Sequence, residues 1–145
     1  MAVRKSNHFK DLKIYYFHNS IYERLYTDAE CMPGRWIDTD TVLRTLGSDY
    51  KVIILGDAAM SPYELVGTSS YFYSYSQMGY ESGLEWFRKV KGHFNHIVWL
   101  NAGNMECYPG NYWHETLGIL KDEFDMYPLS VSGLEAALKK LMVAK

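Results

Sequence analysis

Cysteine is scarce in this chain: Cys31 and Cys107 are the only two in 145 residues. Two thiols cannot form a disulfide framework, and neither has metal-type spacing to a histidine. A reduced, cytoplasmic setting is the expectation. No charge of one sign dominates, with 15 Lys and Arg against 17 Asp and Glu and a net charge of −2. With a pI near 6.2, this balance argues against a nucleic-acid or polybasic membrane surface. No apolar run approaches the roughly 20 residues that a membrane span needs. The opening MAVRKSNHFKDLK has no apolar core like that of a secretory signal.

Common catalytic patterns are also missing. Ser61 has no Gly-x-Ser-x-Gly elbow around it and reads better as a helix cap. His18, His93, His96 and His114 lack zinc-ligand spacing, and the stretch GNMECYPG lacks the Lys-Ser/Thr ending of a phosphate loop. Glu23, Glu30, Glu64 and Glu81 form no evident acid/base pair.

What is present is an alternation of strand and helix patterns, with 13 Tyr and 4 Trp as large core pieces. The chain reads as a single domain over residues 1–145, with no linker or repeat. LKIYYFHNSIYERLYT gives two β-rich runs broken at His18-Asn19-Ser20, a hairpin whose tip suits the positive φ that Asn19 tolerates. In IDTDTVLRTLG, the residues Val42, Leu43 and Leu46 form a short helical face that Gly47 closes. Lys51 to Leu55 is a buried strand, followed by a capping box of Ser61 and Glu64 around Pro62. Tyr71 to Met78 alternates aromatic residues with Ser and reads as either a strand or a surface loop. Tyr80, Leu84, Phe87 and Val90 have helical spacing, as do Trp113, Leu117, Leu120 and Phe124. HIVWLNA and MYPLS are further strands. The last helix opens on a Ser132/Glu135 capping box and turns Leu134, Ala137, Leu138 and Leu141 to one side. Such alternation predicts an α/β fold: a doubly wound, Rossmann-like, mostly parallel sheet with helices on both faces.

In such sheets, ligands sit beyond the carboxyl ends of the strands. The polar groups that fall there are Asp57, Asn101, His18 and Asn19, joined by the Asp38-Thr39-Asp40-Thr41 turn. Carboxylate, hydroxyl and amide oxygens together suit a hard cation such as Mg²⁺ or Mn²⁺. The plainer alternative stays open: Asp57 satisfies loop amides, and Asp38 or Thr39 is an ordinary N-cap.

Four stretches carry a resemblance over nearly the whole chain: HFKDLKIYYFHNSIYERLYTD, DTDTVLRTLGSDYKVIILGDAAMSPYEL, HIVWLNA and MYPLSVSGLEAALKKL. Together they resemble the C-terminal portion of bacterial von Willebrand factor A-like domains of the CoxE-like group. The resemblance implies strand order 3-2-1-4-5-6, with the hairpin as strands two and three. It also implies a metal-ion-dependent adhesion site in which Asp57 is the late aspartate and Thr39 the threonine. That site's first element, an Asp-x-Ser-x-Ser turn after the first strand, occurs nowhere in the sequence. The implied domain lacks its first strand and most of its first helix, so the metal site is expected to be incomplete and any Mg or Mn weakly held.

The function implied is a non-catalytic protein-interaction domain that serves assembly or maturation beside a MoxR-type AAA+ ATPase. The rival is a Mg-dependent Rossmann-like phosphoesterase using Asp57, although the Asp-x-Asp pattern of one such enzyme group is missing where GDAAM stands. Losing a central strand predicts unpaired edges at Ile14–Phe17 and Val52–Leu55. Those edges either pair directly or draw in a second copy, which makes a homodimer the expected partner state.

Overall fold

The computed structural model describes residues 11–32, 34–66, 82–106 and 114–143. In chain order the strands are β1 (Arg24–Tyr26), β2 (Trp36–Asp38), β3 (Lys51–Gly56), β4 (His96–Asn101) and β5 (Met126–Pro128). The helices are α1 (Thr39–Thr45), α2 (Pro62–Val66), α3 (Gly83–His93), α4 (His114–Glu123) and α5 (Val131–Leu141). Residues 71–80 and Trp113, which the sequence reading used, lie outside the described residues.

The runs VIIL and IVWL supply the stiff, β-branched centre of a sheet. β3 and β4 pair in parallel from Lys51↔His96 to Gly56↔Asn101, and β5 joins β4 in parallel at Trp99↔Met126. Parallel neighbours cannot be joined by a tight turn. Helices α2 and α3 therefore lie between β3 and β4 along the chain, and α4 lies between β4 and β5.

Side-chain alternation along the strands gives the sheet two apolar faces. Ile54 and Trp99 face a core built with Trp86, Phe87 and Val90 of α3, Leu117 and Leu120 of α4, and Phe124. Val98 and Leu100 face the opposite way, onto Ala137 and Leu141 of α5. Phe87, Trp99 and Phe124 form an aromatic triad with ring centroids 5.3 to 5.9 Å apart. Each such pair contributes about 0.5–1.5 kcal/mol beyond the area it buries. The architecture is mixed α/β with a three-stranded parallel sheet flanked by helices, compatible with a Rossmann-like fold. No helix among the described residues is long and apolar enough to cross a membrane.

Three local expectations need correction. The turn at the hairpin tip forms as read, with Asn19 at φ 61° and a bridge between His18 and Ser20. Ile14–Phe17, however, contributes only the antiparallel bridge Tyr16↔Tyr26. Ser20 and Ile21 turn into the core just after the tip, which pulls the returning chain out of register. Its regular partner is instead β2, in antiparallel register from Arg24↔Asp38 to Tyr26↔Trp36.

The second correction is the start of α5. Its cap is Ser130, whose Oγ accepts from Gly133 N at 3.0 Å, not Ser132. Gly133 abuts the Pro128 carbonyl so closely that a Cβ there would collide with it. That close approach sets the helix start two residues earlier than the Ser132/Glu135 pattern implies. The third correction follows from this: Gly133, Ala137 and Leu141 form the buried stripe at i, i+4 and i+8, while Leu134 is 39% exposed and Leu138 flanks the stripe.

Helix α3 carries a complete capping box that the sequence reading passed over. Ser82 Oγ accepts from Glu85 N at 3.2 Å, and the Glu85 carboxylate accepts from Ser82 N at 2.9 Å.

Candidate functional site at the carboxyl end of the sheet

Asp57 follows directly on Gly56, the last residue of β3, and Asn101 ends β4 beside it in register. The two side chains have opposite fates. Asp57 is exposed, and its Oδ1 accepts from Ala59 N at 3.1 Å, closing a small turn of its own. Between them Ala58 sits at φ 55°, a left-handed conformation rare for a residue with a Cβ, and is buried in the core. Asn101 is buried; its Oδ1 accepts from Gly103 N at 2.7 Å, and its amide lies 3.5 Å from Met126 Sδ.

Gly103 explains why these neighbours do not form one pocket. A Cβ at that position would stand 2.7 Å from the Asp57 carbonyl oxygen and 3.3 Å from Asn101 Oδ1. The Gly103 backbone therefore fills the space between the ends of β3 and β4. Ala102 N reinforces the seal by donating to Gly56 O at 2.9 Å. Both sequence-predicted residues lie at the carboxyl end, but only Asp57 meets solvent.

Thr39 opens α1 and is fully buried. Its Oγ1 donates to Tyr22 O at 2.6 Å and its backbone N–H donates to Glu23 O at 2.9 Å. Those bonds fix α1 to the returning arm of the hairpin. Asp38 takes the N-cap position but makes no side-chain cap bond, and both Asp38 and Asp40 are exposed. Their charges favour the positive end of the α1 dipole. His18 is exposed at the hairpin tip. Asn19 Nδ2 donates to the Glu64 carboxylate at 3.1 and 3.3 Å, tying that tip to α2. Ser61 caps α2 as read, accepting from Glu64 N at 3.0 Å. The Glu64 carboxylate, expected to complete a box with Ser61, is turned toward Asn19.

A hard cation needs several oxygens that converge on one exposed point. Asp57 supplies one accessible carboxylate, whereas Thr39 is sealed against Tyr22 and Asn101 points inward. Among the described residues no group of three or more His, Cys, Asp or Glu is placed to hold a metal ion. The residues described here do not assemble the ligand set of a Mg²⁺ or Mn²⁺ site.

Sequence reasoning missed Gly103, Ala58 and the Asn19–Glu64 bond. The Gly103-Asn104 step in NAGN marks a turn and could have flagged Gly103. Nothing in the sequence flags an alanine in left-handed geometry. A cavity of about 290 Å³ lies at the opposite end of the sheet, with Phe94, Ile97 and Leu141 in its wall. The ion pairs Lys91–Glu123 and Lys140–Asp125 contribute further lining residues, so this cavity is separate from Asp57.

Comparison of the chain with protein-family models, with curated proteins and with solved structures finds no match in any of the three.

Proposed function

We propose that this chain is a non-catalytic protein-interaction domain of the von Willebrand factor A-like, CoxE-like type. In this reading its adhesion site is incomplete, and its partner is a MoxR-type AAA+ ATPase acting in assembly or maturation. The observation that carries the proposal is the contrast between Asp57 and Thr39. Asp57 stands exposed at the carboxyl end of a parallel strand, where an adhesion site's aspartate would help hold the metal that bridges to a partner's carboxylate. The Thr39 hydroxyl, its expected companion, is spent on Tyr22 O. The bridge Tyr16↔Tyr26 and the Tyr50–Asp11 hydrogen bond are compatible with this reading, since they link the first arm of the hairpin to β1 and to the residue before β3.

The test is a melting curve with and without millimolar Mg²⁺ or Mn²⁺. Binding to the native state alone stabilises by RT ln(1 + [L]/Kd), so a weak site shifts the midpoint by no more than about one degree. A shift of several degrees that Asp57→Ala abolishes overturns the incomplete-site reading. Mg²⁺-dependent turnover across a phosphoester panel, lost in Asp57→Asn, would replace the interaction domain with the phosphoesterase.

A further inference from the structure

The cavity at the amino end of the sheet lies where the ladder between β4 and β5 stops short. β5 begins opposite Trp99, so no residue of β5 stands opposite His96, Ile97 or Val98. The direction of the backbone groups there follows from strand alternation. Trp99 N donates to Asp125 O, and Asn101 O accepts from Leu129 N, so both residues turn their backbone groups toward β5. Ile97 stands two residues before Trp99 in the same strand and turns the same way. Its N–H and C=O therefore face the cavity, and neither has a backbone partner on that side among the described residues. Backbone groups in that state take water or a ligand.

The rest of the wall combines apolar and charged groups. Phe94, Phe124 and Leu141 supply nearly buried apolar surface, with the exposed Val143 beside them. The volume of about 290 Å³ is roughly twice the 150 Å³ of an apolar cavity that holds benzene. One ring or branched chain with a small polar group fits that space. Lys91 and Lys140 share the wall with Glu123 and Asp125. Arg88 already grips Glu123 Oε1, which leaves Lys91 a long contact of 3.5 Å to Oε2. Lys140 stands 3.7 Å from Asp125, beyond hydrogen-bond length. Lys51 Nζ, on the Leu141 carbonyl at 2.7 Å, offsets the negative end of the α5 dipole. Among the charged side chains here, Arg88, Lys91 and Lys140 thus face only Glu123 and Asp125. Two of those three cations hold their partners loosely, so their N–H donors can turn to an anion.

We propose that this cavity is a binding site for a small carboxylate with an apolar body, such as an aryl or branched-chain acid. The carboxylate accepts from Ile97 N–H and pairs with the Lys91 or Lys140 ammonium. The apolar body lies against Phe94, Phe124 and Leu141. The site stands at the end of the sheet opposite Asp57, so it is independent of the adhesion-site reading.

Phenylacetate serves as the probe, with phenylacetamide and phenethylamine as its neutral and cationic counterparts. An NMR titration of the full chain follows the Ile97 amide. Phenylacetate should shift that signal saturably. The other two should bind at least about tenfold more weakly, because charge-assisted hydrogen bonds are the strong ones. The double variant Lys91→Gln/Lys140→Gln should lose the preference for the acid over the amide. Val143→Trp should block the acid by filling the cavity, and because Val143 is exposed the variant keeps its fold, checked by circular dichroism. Equal affinity for the three probes, tighter binding of phenethylamine, or no response at Ile97 overturns the proposal. So does a preference for the acid that survives the double variant. Binding seen only after removal of residues 144–145 assigns the cavity to the chain's own end and overturns it as well.

Discussion

Trp99 and Gly56 interlock across the β3–β4 pair. The indole Nε1 donates to Gly56 O at 3.1 Å, and a Cβ on Gly56 would stand 2.9 Å from ring atom Cζ2. The ring cannot yield, because Trp99 is fully buried between Phe87 and Phe124. Gly56→Ala gains about 0.4–1 kcal/mol through a stiffer unfolded chain. It loses about 1–3 kcal/mol to overpacking. The net expectation is destabilisation, measured by urea unfolding. A more stable Gly56→Ala would show that the indole has room to move.

The parallel core was legible because VIIL and IVWL are too short for helices and too apolar for a half-exposed strand. The same pattern misled on coverage, since it implies two buried faces and β3 has only one well covered. Strand β2 was not legible: Trp-Ile-Asp has no periodicity to speak of, and its pairing depends on Ser20 and Ile21 turning into the core. For α5, two serines each offered a cap, and the choice was made by the contact of Gly133 with Pro128, which no local pattern contains. At the candidate site, the place of Asp57 was readable from strand end and loop. The bond from Thr39 to a carbonyl on a distant arm was not, because it is a tertiary contact.

The Thr39 bond can be tested apart from metal. Thr39→Val keeps the shape, removes the donor and leaves the part-buried Tyr22 carbonyl without it. The expected cost is about 1–3 kcal/mol. Thr39→Ser retains the hydroxyl and should lose about 1 kcal/mol, the worth of one methyl group. The destabilisation of Thr39→Val should be the same with and without Mg²⁺. A penalty that grows on adding Mg²⁺ would mean that the hydroxyl is a ligand after all.

Glu123 gives the fold a predictable acid response. Arg88 grips its Oε1 at 2.7 and 2.8 Å, and Lys91 lies 3.5 Å from Oε2. The Glu123 side chain is only 16% exposed. The Arg88 hydrogen bond holds the carboxyl below its ordinary value of 4.5, against burial, which pushes it up. A carboxylate with a depressed folded pKa contributes stability above its unfolded value, and that contribution is lost as pH falls through the folded one. The loss should therefore develop below 4.5. Urea midpoints between about pH 7 and pH 3 should fall more steeply for the wild type than for Glu123→Gln. Parallel curves would show that the ion pair does not couple to folding.

The final helix offers the sharpest check on packing, since its buried stripe differs from the one its leucines suggest. Leu141 is 2% exposed and lies with Ala137 on Val98 and Leu100. Leu141→Ala should cost about 2–5 kcal/mol, the range for emptying a tight apolar site. The Leu141 carbonyl, which accepts from Lys51 Nζ at 2.7 Å, survives that change, so the loss reports side-chain packing alone. Leu138 packs at the edge of the stripe and should lose less on truncation. Leu134 is 39% exposed and lies outside the buried stripe, so Leu134→Ala should cost under about 1 kcal/mol, and the exposed Lys139→Ala under about 0.5 kcal/mol. Ala137→Leu tests the same face from the other direction, since extra volume there should cost about 1–3 kcal/mol through overpacking. Chemical denaturation of the set ranks them directly. Should Leu134→Ala prove as damaging as Leu141→Ala, the helix would have to be rotated so that the face read from its leucines meets the sheet.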